Sequence, residues 1–507
     1  MSWWRARSFR PPRWLPFVLF LVAIVASYAF IISAGTFTTW PTWNTNYDLL
    51  AEGFRAGHLY IPVAPPPELL ARPNPFDGSN SDLWFRDASL YHGHYYLYWG
   101  PLPALLLLAV KVVLRIKSTI GDQYVVFASY TLLLVVGALF IRRMTRRLFP
   151  ELPARLDFLA MLAFAYVTPT TFLLATAGIY QAAIVAAQFF LLFGLVIAFD
   201  VVWHASAGAP KRRLLLAAGC CWAAAIGCRI SAVLPTAAFV LLTAYFSSTR
   251  PALFWRRAAV SAAWLGGPSA LVLGLLAGYN KMRFDSWFEI GVKYQLNVFP
   301  FLTSRLYLPL DLFSYLLRPI GLSCRFPFVS APYEIGQRGF PAGVHLPAEY
   351  STQEPLAGLL LASPWTWLGL AALFFAGRAM VRWGRATPRA PVMSDQRRRA
   401  GVWCVASLAA LASLMPLVFL TAIATTMRYL ADAATGATLL AVWGGWSLLA
   451  GVRRRWPRGG VIALLIALAA TTAVIGLLFG FTGYNETFKW HNPALYNALR
   501  RTLSFCR

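Results

Sequence analysis

The chain has 507 residues, 58% of them hydrophobic and only 13% charged, with a mean hydropathy of +0.57. A soluble domain carries about 25% charged residues, so this composition excludes one and points to a multi-pass membrane protein. The net charge of +26 would suit a nucleic-acid surface, but the arginines sit in short loops between apolar runs, the positive-inside pattern of cytoplasmic loops.

Apolar stretches of about 20 residues, enough to cross a bilayer as helix, recur from residue 15 to residue 482 with no soluble domain between them. The first, 15–34, follows Arg5, Arg7, Arg10 and Arg13 and reads as an uncleaved anchor. An outer segment over 35–122 comes next. Within it, "TWNTNYDLLAEGFRAGHLYIPVAPPPELL" predicts a short amphipathic helix from Asn46 to Gly57, with Leu49, Leu50 and Phe54 on its apolar side. The stretch "DASLYHGHYYLYWGPLPALLLL", 87–108, then sets an acid, two histidines and a tyrosine cluster against an oily run.

Residues 97–116 are expected to lie along the outer interface as a helix, not to span. Were 97–116 and 123–141 both to span, Arg142, Arg143, Arg146, Arg147 and Arg155 would fall outside, against the charge rule. Further spans are predicted near 123–141, 157–176, 180–200, 213–228, 231–247, 258–278, 356–377, 402–424, 433–450 and 461–481. The expected fold is an all-α polytopic membrane domain over 1–507, with about eleven transmembrane helices, the N-terminus cytoplasmic and the C-terminus outside. Lys211 to Arg213, Arg250, Arg256, Arg257, Arg378 to Arg399, Arg453 to Arg455 and Arg458 mark the inner loops. A second long outer segment covers 279–354.

On this map Glu151, Asp157, Asp200 and Asp395 fall inside and all the other acids outside. Long loops in a compact domain are more often functional than idle. Four of the six cysteines lie in or beside helices, and Cys324 and Cys506 share the outer side, where pairing is one option. No CxxC metal site, phosphate-binding glycine loop or GxSxG motif occurs.

Asp48 lies in the first turn of its predicted helix, where an acid also serves simply by favouring the helix N-terminus. Asp87 and His92 suit a base pair for deprotonating a hydroxyl, or a weak metal site, although histidines among tyrosines more often just hydrogen-bond. Arg229, in the tight turn "GCRIS", and Arg428, in "MRYLAD", stand at the outer ends of helices. Charged residues inside a membrane are paired or functional, and Arg428 has Asp432 four residues on as a local partner. Arg283 and Lys293, interleaved with Phe284, Trp287 and Tyr294, read either as a sugar-stacking and phosphate-steering surface or as an interfacial aromatic belt.

The first outer loop and the "DASLYHGHYYLYWGPLPALL" stretch resemble the bacterial integral-membrane glycosyltransferases of the GT-C class, in particular dolichyl-phosphate-mannose-type relatives. So do "LLATAGIYQAAI" at 173–184, "YNKMRFDSWFEIGVKYQL" at 279–296 and "TTMRYLADAATGATLL" at 425–440. The resemblance implies transfer of a sugar from a polyprenyl-phosphate donor to a glycan, lipid or protein acceptor at the outer face of the bacterial inner membrane. It implies a catalytic acid in the first outer loop: Asp48, with Asp87 second. His92, Tyr95, Arg229, Arg283, Lys293, Arg428 and Tyr429 are the expected substrate contacts. A divalent metal is an optional cofactor, with no metal ligands assigned. The chain departs from the family in placing Trp43 and Asn44 before the helix tyrosine, Gln181 where an acid is expected, and Asp285 where glycine is usual. The alternative reading is a lipid or polysaccharide transporter, which usually needs an ionisable residue deep in a helix.

Overall fold

The computed structural model describes residues 14–506 apart from 206–211, 249–252, 298–302, 334–335, 337–338, 342, 348–349, 353, 385–391, 423, 453–454 and 485. Arg5, Arg7, Arg10, Arg13, Lys211, Arg250, Arg385, Arg389, Arg453 and Arg454 therefore lie outside the described residues.

The helices run α1 (Leu15–Ile32), α2 (Asn46–Arg55), α3 (Pro67–Leu70), α4 (Leu102–Leu114), α5 (Asp122–Leu148), α6 (Leu156–Ala165) and α7 (Thr170–Leu174). There follow α8 (Ile179–Trp203), α9 (Arg212–Cys228), α10 (Val233–Ser247), α11 (Phe254–Phe284), α12 (Leu308–Leu317) and α13 (Leu359–Ala362). The last are α14 (Leu368–Gly384), α15 (Val392–Ser413), α16 (Met427–Gly451), α17 (Arg455–Thr482), α18 (Thr487–His491) and α19 (Pro493–Leu503). Among the described residues, strands appear only as three short pairs.

Among the described residues, eight helical segments are long and apolar enough to cross a membrane: 15–32, 122–148, 179–203, 230–247, 254–284, 396–419, 427–451 and 457–482. The other three expected spans fall on α6 with α7, on α9, and on α13 with the first part of α14, where 356–377 is not one helix. The span expected over 157–176 is not one helix. It breaks after Ala165 and resumes at Thr170, because Pro169 cannot donate to a helical ladder and disfavours helical backbone at Thr168.

The bundle has two chemically distinct ends. The starts of α5 and α8 meet at Asn44, whose carbonyl accepts from the Asp122 N–H (3.0 Å) and whose Oδ1 accepts from the Ile179 N–H (2.8 Å). Their far ends meet at Asp200, which binds Arg143 (2.9 Å) and Arg147 (2.5 Å). The two helices thus run parallel, with α6 and α7 as the return. Around them the core is continuous and apolar, with Trp222, Trp365, Trp403 and Trp446 fully buried. A buried Trp N–H usually finds an acceptor, and Trp446 and Trp403 donate to Thr145 (3.0 Å) and Thr243 (3.1 Å).

The helix expected from Asn46 forms as α2. Its free N-terminal N–H groups are met by a side chain from another helix: Asp122 accepts from Asn46 and Tyr47, each at 3.2 Å. The interface helix forms only as α4, 13 residues long, starting between Pro101 and Pro103 as proline favours. Upstream, the motif is a β-hairpin, β1 (Ser89–Tyr91) against β2 (His94–Tyr96). His92 and Gly93 form its two-residue turn with φ +45° and +73°, the pair of positive values that a type I′ turn requires. The second long loop is braced to the first by Leu296 N–H to Ala88 O (3.0 Å) and Ser89 Oγ to Gly291 O (2.7 Å). It is also tied to the C-terminal helices by a disulfide between Cys324 and Cys506, Cα to Cα 5.6 Å.

Candidate active site at the loop-bearing end

Where the two long loops meet the helix ends, a cavity of about 670 Å³ opens. Its walls are mostly apolar, from Ile226, Leu234, Leu273, Leu276, Ile290 and Val418 among others, and Arg229, Arg283, Arg428, Tyr98, Tyr180 and Tyr429 face it. The segment after the hairpin forms one wall. Gly100 permits this: a Cβ there would stand 2.1 Å from the Gly227 carbonyl oxygen at the end of α9, so only glycine fits.

Each arginine is held differently. Arg229 is 2% exposed, with Nη1 2.8 Å from Asp432 Oδ1. Its guanidinium lies 5.2 Å from the Phe419 ring centre and 5.7 Å from that of Trp99, and its Nη2 has no hydrogen-bond partner. Phe419 stacks in turn on Tyr429 at 3.8 Å. Arg428 pairs with Glu354 at 2.5 Å and lies 3.8 Å from the Tyr180 ring centre. Arg283 donates to the Leu97 carbonyl (2.6 Å) and Asn280 Oδ1 (2.8 Å), with Tyr279 flat against it at 3.8 Å. The local pair expected between Arg428 and Asp432 does not form. Both reach across the fold instead, Arg428 to Glu354 of the second long loop and Asp432 to Arg229.

A hydrogen-bond chain runs along the rim. Gln295 donates to Tyr98 (2.9 Å), Tyr98 to Tyr180 (3.2 Å), and Tyr180 to Asp87 through a very short contact. Burial pushes the Tyr98 hydroxyl well above its ordinary pKa. Burial also raises Glu354, against the pull of Arg428. Tyr180 thus touches both Arg428, through its ring, and Asp87, through its hydroxyl.

The structure separates the remaining expected residues from this cavity. Asp48 is 2% exposed and clamped by Lys111 at 2.6 Å, with Glu52 on the same ammonium at 2.8 Å. His92 is exposed in the hairpin turn, stacked on Tyr91 at 4.0 Å, while Asp87 turns to Tyr180, so the expected acid and histidine pair does not form. Tyr95 is buried with Ile61, Leu69 and Trp84 in a separate small core. Lys293 is exposed, its ammonium 5.8 Å from the Tyr294 ring centre. Asp285, in place of the usual glycine, ends α11 in left-handed backbone at φ +57°, a position glycine favours. Sequence reasoning missed Tyr180, Tyr98, Trp99, Gln295 and Glu354. Tyr98, Trp99 and Tyr180 lay inside quoted motifs, whereas Glu354 carried no local signal.

Among the described residues no three His, Cys, Asp or Glu side chains gather as a metal site. The two acids at the rim are already engaged, by Tyr180 and by Arg428.

No protein-family model matches the chain, and no curated protein does. Among solved structures, it is similar to the oligosaccharyltransferase of Archaeoglobus fulgidus in its apo form, with a TM-score of 0.45 at 12% identity over 91% of this chain. It is also similar to the same organism's archaeal oligosaccharyltransferase AglB in complex with an inhibitory peptide and a dolichol-phosphate, with a TM-score of 0.44 at 14% identity over 96% of this chain. The chain spans 56% and 58% of the length of those two.

Proposed function

We propose that this chain is a membrane glycosyltransferase that moves a hexosyl group from a polyprenyl-phosphate donor to an acceptor hydroxyl at the outer face of a bacterial inner membrane. One observation carries the reading: a largely apolar cavity holds a buried arginine with an unpartnered N–H, and a tyrosine on its wall is hydrogen-bonded to a half-buried acid. Apolar walls suit a lipid tail, arginines a phosphate, and a carboxylate one contact away suits base catalysis.

In this mechanism Tyr180 occupies one oxygen of Asp87, and the other takes the proton of the acceptor hydroxyl as that oxygen attacks the anomeric carbon. The bond from that carbon to the phosphate oxygen breaks, and its electron pair leaves with the polyprenyl phosphate, stabilised by Arg229 and Arg428. Direct displacement inverts the anomeric centre. No step runs through a metal, so chelation is expected to leave transfer unchanged, read as the rate with and without EDTA.

The transporter reading draws on one observation, a fully buried Asp432 within a helix long enough to span. Its pairing with Arg229 favours the enzyme, because that acid already neutralises a cavity arginine. The deciding experiment is transfer of labelled sugar from synthetic polyprenyl-phosphate donors by purified protein in lipid. Loss of transfer in Asp87→Asn with donor binding intact supports the enzyme and its base. No transfer and no donor binding by wild type across a broad donor panel overturns it in favour of the carrier.

A further inference from the structure

Helix α12, "LPLDLFSYLL", is amphipathic the wrong way round for a helix facing water. Leu308, Leu312 and Leu316 recur four residues apart, so they form one stripe, and they are 37%, 39% and 39% exposed. Leu306 and Leu317 widen the stripe at its two ends, 72% and 40% exposed. The opposite face, with Leu310, Asp311, Ser314 and Tyr315, is buried. Its only carboxyl group points inward, where Asp311 accepts from the Tyr350 hydroxyl at 2.8 Å.

The position of the helix identifies what covers the stripe. Its C-terminal end is fastened to Gly358, whose N–H donates to the Arg318 carbonyl at 2.8 Å. A Cβ on Gly358 would lie 2.5 Å from Arg318 N and 2.6 Å from Leu317 N. From Gly358 the chain passes directly through α13 into α14, which packs along α16, a helix long enough to cross a membrane. That lead-in exposes Leu361 and Trp367, and α14 exposes Leu370, Leu373 and Phe374. The C-terminal end of α12 is thus fixed to the segment that leads into this apolar, exposed surface. At 10 residues, about 15 Å, α12 is too short to cross.

We infer that α12 is a lipid-docking helix, lying in the bilayer interface with Leu308, Leu312 and Leu316 among the acyl chains of one leaflet. The surface is independent of the transferase reading. It bears on the cavity all the same, because Tyr350, held by the inner face of α12, stands four residues before Glu354, the partner of Arg428.

The test places a nitroxide at Leu308→Cys, Leu312→Cys and Leu316→Cys in turn, with the four free cysteines replaced by serine and the Cys324–Cys506 bridge kept. The protein is held in phosphatidylcholine and phosphatidylglycerol nanodiscs. Collisions with oxygen, which partitions into lipid, are expected to dominate at all three sites, and collisions with a water-soluble nickel chelate at the exposed control Asp82→Cys. Nickel accessibility at position 312 equal to that at 82 overturns the proposal. Should the labelled variants not fold, the unmodified protein is irradiated in vesicles carrying a mid-chain diazirine phospholipid. Adducts on the peptide spanning 306–317 support the docking helix, and adducts confined to the spanning helices overturn it.

Discussion

Two acids of the first loop, Asp48 and Asp87, began as rivals for one role, and their surroundings part them. Asp48 is sealed between α2 and α4 by Lys111, with Glu52 as the second acid on the same ammonium. Asp87 is half-buried, forms no ion pair among the described residues, and is held by the hydroxyl of a tyrosine that lines the cavity. A carboxylate clamped by an ammonium at 2.6 Å is a fastener, whereas one held by a single neutral hydroxyl leaves its second oxygen to meet a substrate. The neighbours decide the role, and order along the chain does not.

The largest effect that would break this comparison lies in activity. Asp87→Asn is expected to lower transfer by roughly 100-fold to 10,000-fold, the range for losing a general base, while thermal unfolding stays near wild type. Asp48→Asn should do the reverse, and equal losses of transfer in both variants would erase the distinction. Next comes the clamp itself. Lys111→Ala leaves Asp48 buried without its cation, which typically costs about 3 to 5 kcal/mol, and a clear fall in the unfolding midpoint checks it. An unchanged midpoint would show that the ion pair does not hold α2 to α4. Smaller again, Tyr180→Phe removes one hydrogen bond from Asp87 and keeps the ring over Arg428. A loss of about 1 kcal/mol in transition-state stabilisation, read as kcat at constant donor KM, separates positioning of the acid from binding of the lipid phosphate.

Much of the scaffold was legible because its signals are local. Apolar runs and arginine clusters mark the helices, Gly57 the end of α2, and Pro101 with Pro103 the start of α4. The hairpin at 89–96 went unread, although His92 and Gly93 between tyrosine-rich flanks are turn chemistry. The candidate site was half legible. Arg229, Arg283, Arg428 and Tyr429 line one cavity, and position at a helix end had singled out only Arg229 and Arg428 among them. Their partners were not legible, because Asp432 lies 203 residues from Arg229 and Glu354 sits in a loop with no periodicity. Burial forces charges to pair, yet nothing in a sequence says across which gap they do so.

The last and smallest effect sets the two loops against each other through pH. A hydrogen bond from Lys111 holds Glu52 below its ordinary carboxylate range, so its contribution is complete above about pH 4 and fades as pH falls through the lowered value. Burial instead pushes Asp311 up to about 7. The folded state then binds a proton the unfolded chain releases, so stability around Asp311 is complete below about pH 4 and declines as pH rises toward 7. The two loops should therefore loosen in opposite directions. Hydrogen exchange corrected for the intrinsic rate is expected to show residues 46–55 opening toward acid and residues 308–317 opening toward neutrality. In Asp311→Asn the second trend should vanish and the first persist, because only the second comes from a carboxyl that burial forces to keep its proton. Parallel trends in the two peptides would mean that one global opening governs both loops, and the contrast between a paired and a merely buried acid would fail.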